Sequence, residues 1–442
     1  MAAYKLTIGD ASRLIASGEL TPSELLKSLL DRIERLEPSL EAWVTLDIEG
    51  ARATAEDLTS EIEKGVSRGP LHGIPVGVKD IFYTAGLKTT MGSPIYRDFI
   101  PSRDAVSVAR FRDAGAVIIG KTETTEFALA DPAPTRNPWN LEHTPGGSSS
   151  GSAAAVSSGM CPTALGTQTG GSVIRPASFC GIVGMKPTRD LIRRGGVYPL
   201  SWSLDHVGFF TRCVDDAAMV LGALTDGDHL DYHPIDRLEP PRLGMLRGYF
   251  QENADENVWD GFEAATMSLR DAGARVEEVS LPSTFKLIHA AHRVILASEA
   301  ASVHEENFKE RMTDYRVNLR GLVASGLLVP ASEYLRARRL GGRFVEELEA
   351  VMRDVDCLIV PSAPTPALRG LESTGDPAFN APWSLSGYPV MTVPSGITED
   401  ELPLGFQIIG KLHGEKHLFG VAKWCEGVFS FENAPREPSE MA

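Results

Sequence analysis

The stretch Pro145-Gly146-Gly147-Ser148-Ser149-Ser150-Gly151-Ser152-Ala153-Ala154-Ala155-Val156 is followed by a second run, Gly166-Thr167-Gln168-Thr169-Gly170-Gly171-Ser172-Val173-Ile174-Arg175-Pro176-Ala177. Serines flanked by paired glycines, set in an alanine-rich frame, do not read as a flexible linker. Glycine allows conformations and close approaches that a Cβ forbids. Two such loops side by side bring two hydroxyls and several backbone N–H groups into one pocket. The small residues from Ser152 to Ser158 predict a helix that packs closely against its neighbours.

On either side of these loops, helix and strand signals alternate. Thr21-Pro22-Ser23-Glu24 is a helix start: an N-cap threonine, proline at the first helical position and glutamate at the third. Leu25, Leu26, Leu29, Leu30, Ile33 and Leu36 recur at helical spacing, and Pro38 is expected to follow the end. A second helix is predicted from Glu49 to Lys64, capped by Gly65. Ile74-Pro75-Val76-Gly77-Val78-Lys79-Asp80 reads as a short buried strand ending in charge. A helix over Asp104–Ala114 and a strand over Ala116–Ile119 follow. Later come strands at Arg242–Leu246, Arg275–Val279, Cys357–Val360 and Val390–Val393, with a helix near Trp259–Ala272. This alternation predicts an α/β layered architecture. The chain is read as one unit over residues 1–442, with a helical N-terminal part (1–65) and a helical region (298–353) placed to cover a site.

Composition bounds the setting. The 43% hydrophobic and 23% charged residues are those of a folded soluble protein. A net charge of −16 argues against a nucleic-acid backbone as partner. The five cysteines, Cys161, Cys180, Cys213, Cys357 and Cys425, form no CxxC pair and read as reduced, mostly buried thiols. The N-terminus has no continuous apolar core of signal-peptide length, and no run approaches a membrane span. A cytoplasmic protein that contacts neither membrane nor nucleic acid is the expectation.

Several pattern matches are decoys. Gly115-Ala116-Val117-Ile118-Ile119-Gly120-Lys121-Thr122 fits the P-loop expression, but its intervening residues are themselves the strand. Gly147-Ser148-Ser149-Ser150-Gly151 fits the nucleophile-elbow expression without the hydrophobic strand that motif needs. Ser283-Thr284-Phe285-Lys286 is a Ser-x-x-Lys without its usual companion motifs. The histidine pairs His289/His292 and His229/His233 have no HExxH context and read as surface or packing residues. No metal or other cofactor is expected. A serine nucleophile here would need another base. Lys79, directly after an apolar strand, is the alternative: burial lowers a lysine pKa toward neutrality. The bland reading is a strand-end lysine paired with Asp80.

Taken together these blocks resemble the amidase signature family of serine hydrolases. Gly73 to Asp80 is similar to the family's lysine block, Gly146-Gly147-Ser148-Ser149 and Thr169-Gly170-Gly171-Ser172 to its two serine loops. Cys180 to Thr188, Ser203 to Gly208 and Leu402 to Gly410 resemble later blocks, so the likeness covers nearly the whole chain. The resemblance implies an α/β/α layered fold with a large mixed central sheet. It implies Ser172 as a nucleophile that forms an acyl-enzyme, Ser148 as a bridging serine after a cis bond from Gly147, and Lys79 as the base. Thr169, Gly170 and Gly171 would then offer N–H groups to an oxyanion. Gln168 departs from the aspartate, and Ser150 from the glycine, that many members carry. The second loop is similar to the malonamidase-like branch, in which the arginine at the Arg175 position binds a substrate carboxylate. The alternative is a structural arginine pairing with a neighbouring loop.

The implied activity is hydrolysis of a small carboxamide to an acid and ammonia or an amine. The expected partners are that small-molecule amide and, as an option, a second copy of the chain. Two alternatives stay open: the glutaminase subunit of a tRNA-dependent amidotransferase, which would need a partner and an ammonia channel, and a catalytically silent scaffold.

Overall fold

The structure is a computed structural model that describes residues 2–225 and 239–436. The pair His229/His233 lies outside the described residues. Among the described residues, eleven strands form one sheet: β1 (Trp43–Leu46), β2 (Pro75–Lys79), β3 (Val117–Thr122), β4 (Thr163–Gln168), β5 (Val183–Lys186), β6 (His206–Thr211), β7 (Arg242–Leu246), β8 (Arg275–Val279), β9 (Cys357–Pro361), β10 (Val390–Ile397) and β11 (Pro403–Ile409). Their order is β1-β3-β2-β4-β6-β5-β10-β11-β9-β7-β8. Strand β2 runs parallel to both β3 and β4, while β6, β5, β10 and β11 follow in antiparallel pairs. The sheet is therefore mixed, as the resemblance implies.

Side-chain alternation shows why the sheet is covered on both faces. Along β3, Ile118 joins one apolar cluster, whereas Val117 and Ile119 join another. Leu165 and Phe209 pack with the first cluster, and their neighbours Ala164 and Phe210 with the second. Successive strand residues face opposite sides, so the clusters mark two faces, each roofed by helices. A strand buried on both faces carries no polar alternation. That is why the sequence does not set β4, β5 and β6 apart: they lie inside Gly- and Thr-rich blocks.

The N-terminal helices follow their caps. Helix Pro22–Leu40 has the full capping box: Thr21 Oγ1 accepts from Glu24 N (3.1 Å), and Glu24 Oε2 accepts from Thr21 N (2.9 Å). Pro38 does not end it. The helix continues to Leu40, whose side chain is buried, and Glu41 closes it in the left-handed region. Burial of Leu36 and Leu40 on one face outweighs the single backbone bond that proline forfeits. The next helix, Ile48–Glu63, starts on Asp47, which accepts from Gly50 N, and Gly65 follows with φ 78°. The N-terminal part is not wholly helical, because β1 lies between these helices as the sheet's edge.

The region 298–353 is mostly helical, spanning the end of Phe285–Arg311 and the helices Val317–Gly326 and Ala331–Val351. No helix among the described residues is long and apolar enough to cross a membrane. All five cysteines are free; four are buried and Cys213 is half-buried.

The short helix Ser150–Ser157 follows the first serine loop and is almost wholly buried. Its Gly151 has no spare room: a Cβ there would lie 2.2 Å from Ala42 O and 2.4 Å from Glu123 N. Both are backbone atoms and cannot swing aside. Gly151→Ala is therefore expected to destabilise the protein by about 1–3 kcal/mol, the usual cost of overpacking. A urea midpoint unchanged from the parent would contradict this packing.

Candidate functional site

Lys79 ends β2, and its side chain is fully buried. Its Nζ lies 2.7 Å from Ser148 Oγ, 3.0 Å from Ser149 Oγ and 2.9 Å from Thr167 Oγ1. Burial pushes its pKa well below the ordinary lysine value, while the Asp205 carboxylate opposes that shift. The bland pairing of Lys79 with Asp80 is not what the structure has. Consecutive residues leave a strand on opposite faces, so Asp80 turns to Lys121 at 3.6 Å and to Thr90. Lys121 is itself buried, with Nζ donating to the Phe82 carbonyl and to the hydroxyls of Thr84 and Thr89 (3.2 and 2.9 Å). The lysine of the P-loop match is thus a structural cation inside β3. Ser283, of the Ser-x-x-Lys match, donates to Glu347 at the surface.

The first serine loop places Ser148 beside Lys79, and the Gly147–Ser148 peptide is cis. Ser149 has a different job. Its hydroxyl takes the second Lys79 bond and donates onward to the Thr167 carbonyl at 3.4 Å. The second loop turns between β4 and the short helix Ile174–Phe179, and Gln168 holds it. Gln168 Oε1 accepts from Val173 N and Ile174 N (3.0 Å each), capping that helix. Its Nε2 donates to Ser384 Oγ (3.2 Å), and Ser384 donates to the Gly170 carbonyl (2.8 Å). Among the described residues, the backbone N–H groups of Thr169, Gly170, Gly171 and Ser172 donate to no acceptor in the chain. A Cβ on Gly171 would lie 2.5 Å from Asn380 Oδ1, so a larger residue there would displace the buried Asn380 side chain.

Ser172 is buried to 7% exposure, and its hydroxyl makes no hydrogen bond among the described residues. It is not bonded to Ser148 in this structure. What joins the two loops is Arg175, whose Nη2 donates to the Gly147 carbonyl (2.7 Å) and to Thr374 Oγ1 (3.1 Å). Its Nε and Nη1 are buried without a partner among the described residues, and burial lowers its pKa to about 10. The pairing of Arg175 with a neighbouring loop is therefore present.

Three further groups have polar roles here. Asp205 Oδ1 accepts from Thr169 Oγ1 (2.6 Å), and Oδ2 accepts from Leu200 N and Ser201 N (2.9 and 3.0 Å). His292, which reads as a packing histidine, donates from Nε2 to the Thr169 carbonyl (2.9 Å); burial lowers its pKa to about 4, so it stays neutral. Glu299 ties the long helix to the same wall by accepting from Ser203 N (2.9 Å) and from the hydroxyls of Ser201 and Ser203. Only Asp205 stands in a motif block; His292 and Glu299 come from a helix with no local signal. No group of three or more His, Cys, Asp or Glu is placed to hold a metal among the described residues.

With this geometry in view, the comparisons with known proteins are direct. The chain belongs to the amidase family, whose model matches residues 24–419. It is similar to a protein of Carboxydothermus hydrogenoformans named as one subunit of glutamyl-tRNA(Gln) amidotransferase, 34% identical over 98% of this chain and 99% of the relative. A crystal structure of an amidase superposes with TM-score 0.88 at 31% identity, covering 96% of this chain and 99% of the other. The native peptide amidase from Stenotrophomonas maltophilia does so with TM-score 0.84 at 30% identity, over 98% and 99% of the two chains. The malonamidase-like branch finds no support among these relatives.

The net charge argues against nucleic acid among the partners. Relatives spanning nearly the whole chain are nevertheless named as one subunit of an enzyme of a tRNA. Net charge sums one chain's surface, and a protein that works inside an assembly does not set the charge of the whole. The charge of −16 therefore does not exclude such a partner.

The buried amine makes a thermodynamic prediction. Between its lowered folded pKa and the ordinary 10.5, Lys79 is neutral in the folded chain and charged in the unfolded one. The unfolded chain then binds more protons, so parent stability rises with pH across that window. Lys79→Met lacks this dependence. It should be more stable than the parent near neutral pH, and the excess should shrink toward pH 10.5 by at most about 1.4 kcal/mol per pH unit. Denaturant melts over a pH series check this; a difference independent of pH would contradict it.

Proposed function

We propose that the chain hydrolyses the C–N bond of a carboxamide through an acyl-enzyme on Ser172, with Ser148 as proton bridge and Lys79 as base. The observation that carries this reading is the dry Lys79 amine 2.7 Å from Ser148 Oγ. A neutral amine has two N–H bonds and one lone pair. Ser149 already donates its proton to the Thr167 carbonyl, so it accepts from Lys79; Thr167 Oγ1 takes the second N–H. The lone pair then faces Ser148.

The steps balance. Ser172 gives its proton to Ser148 Oγ as Ser148 gives its own to Lys79, and Ser172 Oγ bonds to the amide carbon. The carbonyl oxygen becomes an oxyanion, met by the unpaired N–H groups of Thr169, Gly170, Gly171 and Ser172; one such donor is worth about 2.7–4 kcal/mol in acyl transfer. Lys79 returns its proton through Ser148 to the leaving nitrogen, the C–N bond breaks, and an ester remains on Ser172. Water repeats the relay and releases the acid. The Ser148–Ser172 link closes when substrate is bound, since such contacts are often loose without it. In this proposal Arg175 holds the Gly147 carbonyl, and its free Nε and Nη1 support a contact with a substrate carboxylate as well. The whole chain acts as one amidase unit, with the helical region 298–353 over the site; the Glu299 bonds to Ser201 and Ser203 support that cover.

A second reading has a specific support. The curated relatives are named as one subunit of an amidotransferase, which favours the glutaminase role more than it favours a free-standing small-amide hydrolase. In that case the ammonia released from glutamine passes to a partner that handles the tRNA.

Ammonia release from glutamine and from a panel of neutral amides, with and without candidate partner subunits, separates the two. Ser172→Ala should lower kcat on the order of 10⁶-fold, as removal of a serine nucleophile does, and should abolish labelling by a fluorophosphonate. Activity of the parent should rise with pH as Lys79 loses its proton, and Lys79→Ala should nearly abolish it while leaving the fold intact. Retained turnover in Ser172→Ala would overturn the nucleophile assignment.

A further inference from the structure

A cavity of about 250 Å³ adjoins the site. It meets the site at three residues already described: Thr167, which bonds Lys79, Thr169, on the loop with the unpaired N–H groups, and Asp205, which accepts from Thr169. A further link runs through Ala128 in its wall. Thr125, three residues earlier, donates its N–H to the Ser148 carbonyl (3.1 Å). The wall's remaining surface is mostly apolar, from Ile81, Val197, Leu200 and Val207, with the ring of Tyr198 and the half-exposed Trp202.

The charged groups of this wall are already committed. Asp205 uses both oxygens on Thr169, Leu200 and Ser201. Arg194 spends Nε and Nη2 on Asp190 and Nη1 on the Trp202 carbonyl. His206 is kept neutral by burial, with Nδ1 donating to the Leu204 carbonyl. An anionic ligand group entering the cavity would meet no free cation in this wall, because Arg194 is paired with Asp190, and burying such a group unpaired is costly.

The wall is also held in an unusual shape. Phe127 and Ala128 have φ of 46° and 61°, consecutive left-handed residues that are not glycine. A bulky residue there is a true outlier, and such strain concentrates at ligand sites. The Phe127 ring is clamped by Tyr96, Tyr198, His304 and Tyr315 at centroid distances of 4.7–5.9 Å. Tyr198 thus serves both the clamp and the cavity.

We propose that this cavity receives the acyl side of the substrate and selects an uncharged, ring-sized apolar group. The inference rests on the amide-hydrolase reading and names its substrate class. A dry cavity of about 150 Å³ already holds benzene, so the space suits an aryl or cycloalkyl group.

The test has a binding arm that does not depend on turnover. Titration of Ser172→Ala protein with phenylacetamide, propionamide and glutamine should give at least about tenfold tighter binding of the aryl amide. Val197→Trp, which fills the cavity, should reduce that preference at least about tenfold; Trp202→Ala, at the exposed rim, should reduce it less. In the parent enzyme the same ranking should appear in kcat/KM. Equal binding of the aryl amide and propionamide, a preference untouched by Val197→Trp, or glutamine ranking first would each overturn the cavity assignment. Aryl binding without ammonia release would leave the cavity standing and sink the hydrolase reading instead.

Discussion

Lys79 carries an amine into a part of the sheet that water does not reach, and the site is arranged around keeping it there. Strand β2 is covered by its neighbours β3 and β4 and by helices on both faces, so the side chain at its end has only protein for company. Desolvation penalises the charged form, and that sets the direction of the pKa shift. The three hydroxyls around Nζ satisfy its hydrogen bonds without supplying a counter-charge. The one carboxylate adjacent in sequence, Asp80, is turned away and neutralised by Lys121. Were Asp80 on the same face as Lys79, the ion pair would favour the charged lysine.

The second loop shows the same economy of charge. Gln168 does with one neutral amide what a carboxylate could do only in part. It accepts the two N–H groups at the start of the helix Ile174–Phe179 and also donates to Ser384, which fixes the Gly170 carbonyl. That carbonyl and the Thr169 carbonyl are both occupied by outside donors, while the loop's N–H groups have no acceptor among the described residues. Arg175 ties this loop to the carbonyl before Ser148, so the serine loops are positioned against each other by a buried cation as well as by packing.

The two serine loops, the lysine block, the capped N-terminal helices and the α/β layering are all legible in the sequence, because each rests on local chemistry. Glycine pairs, an N-cap threonine with its glutamate, and short apolar runs declare themselves within a few residues. The decoys are legible for the same reason: a strand between the glycines leaves no phosphate cradle. What fails is equally physical. Pro38 reads as a stop because its lost bond is local, while the burial of Leu40 that overrides it is not. The strands β4, β5 and β6 stay hidden because a strand buried on both faces loses its alternation. The charge argument against nucleic acid fails because a charge sum ignores assembly.

Amino-acid order alone settles which residues are equipped for chemistry: a lysine after a buried strand, two serines in glycine-rich loops, and no histidine in a catalytic setting. How they are used is settled by the packed molecule. It sends Asp80 to Lys121, gives Ser149 and Thr167 to Lys79, sets His292 and Glu299 from a distant helix against the site, and leaves the hydroxyl of Ser172 unbonded. Hydrogen-bond partners and burial depend on which segments meet across the sheet. Those meetings are fixed by packing over the whole chain, which no local spacing records.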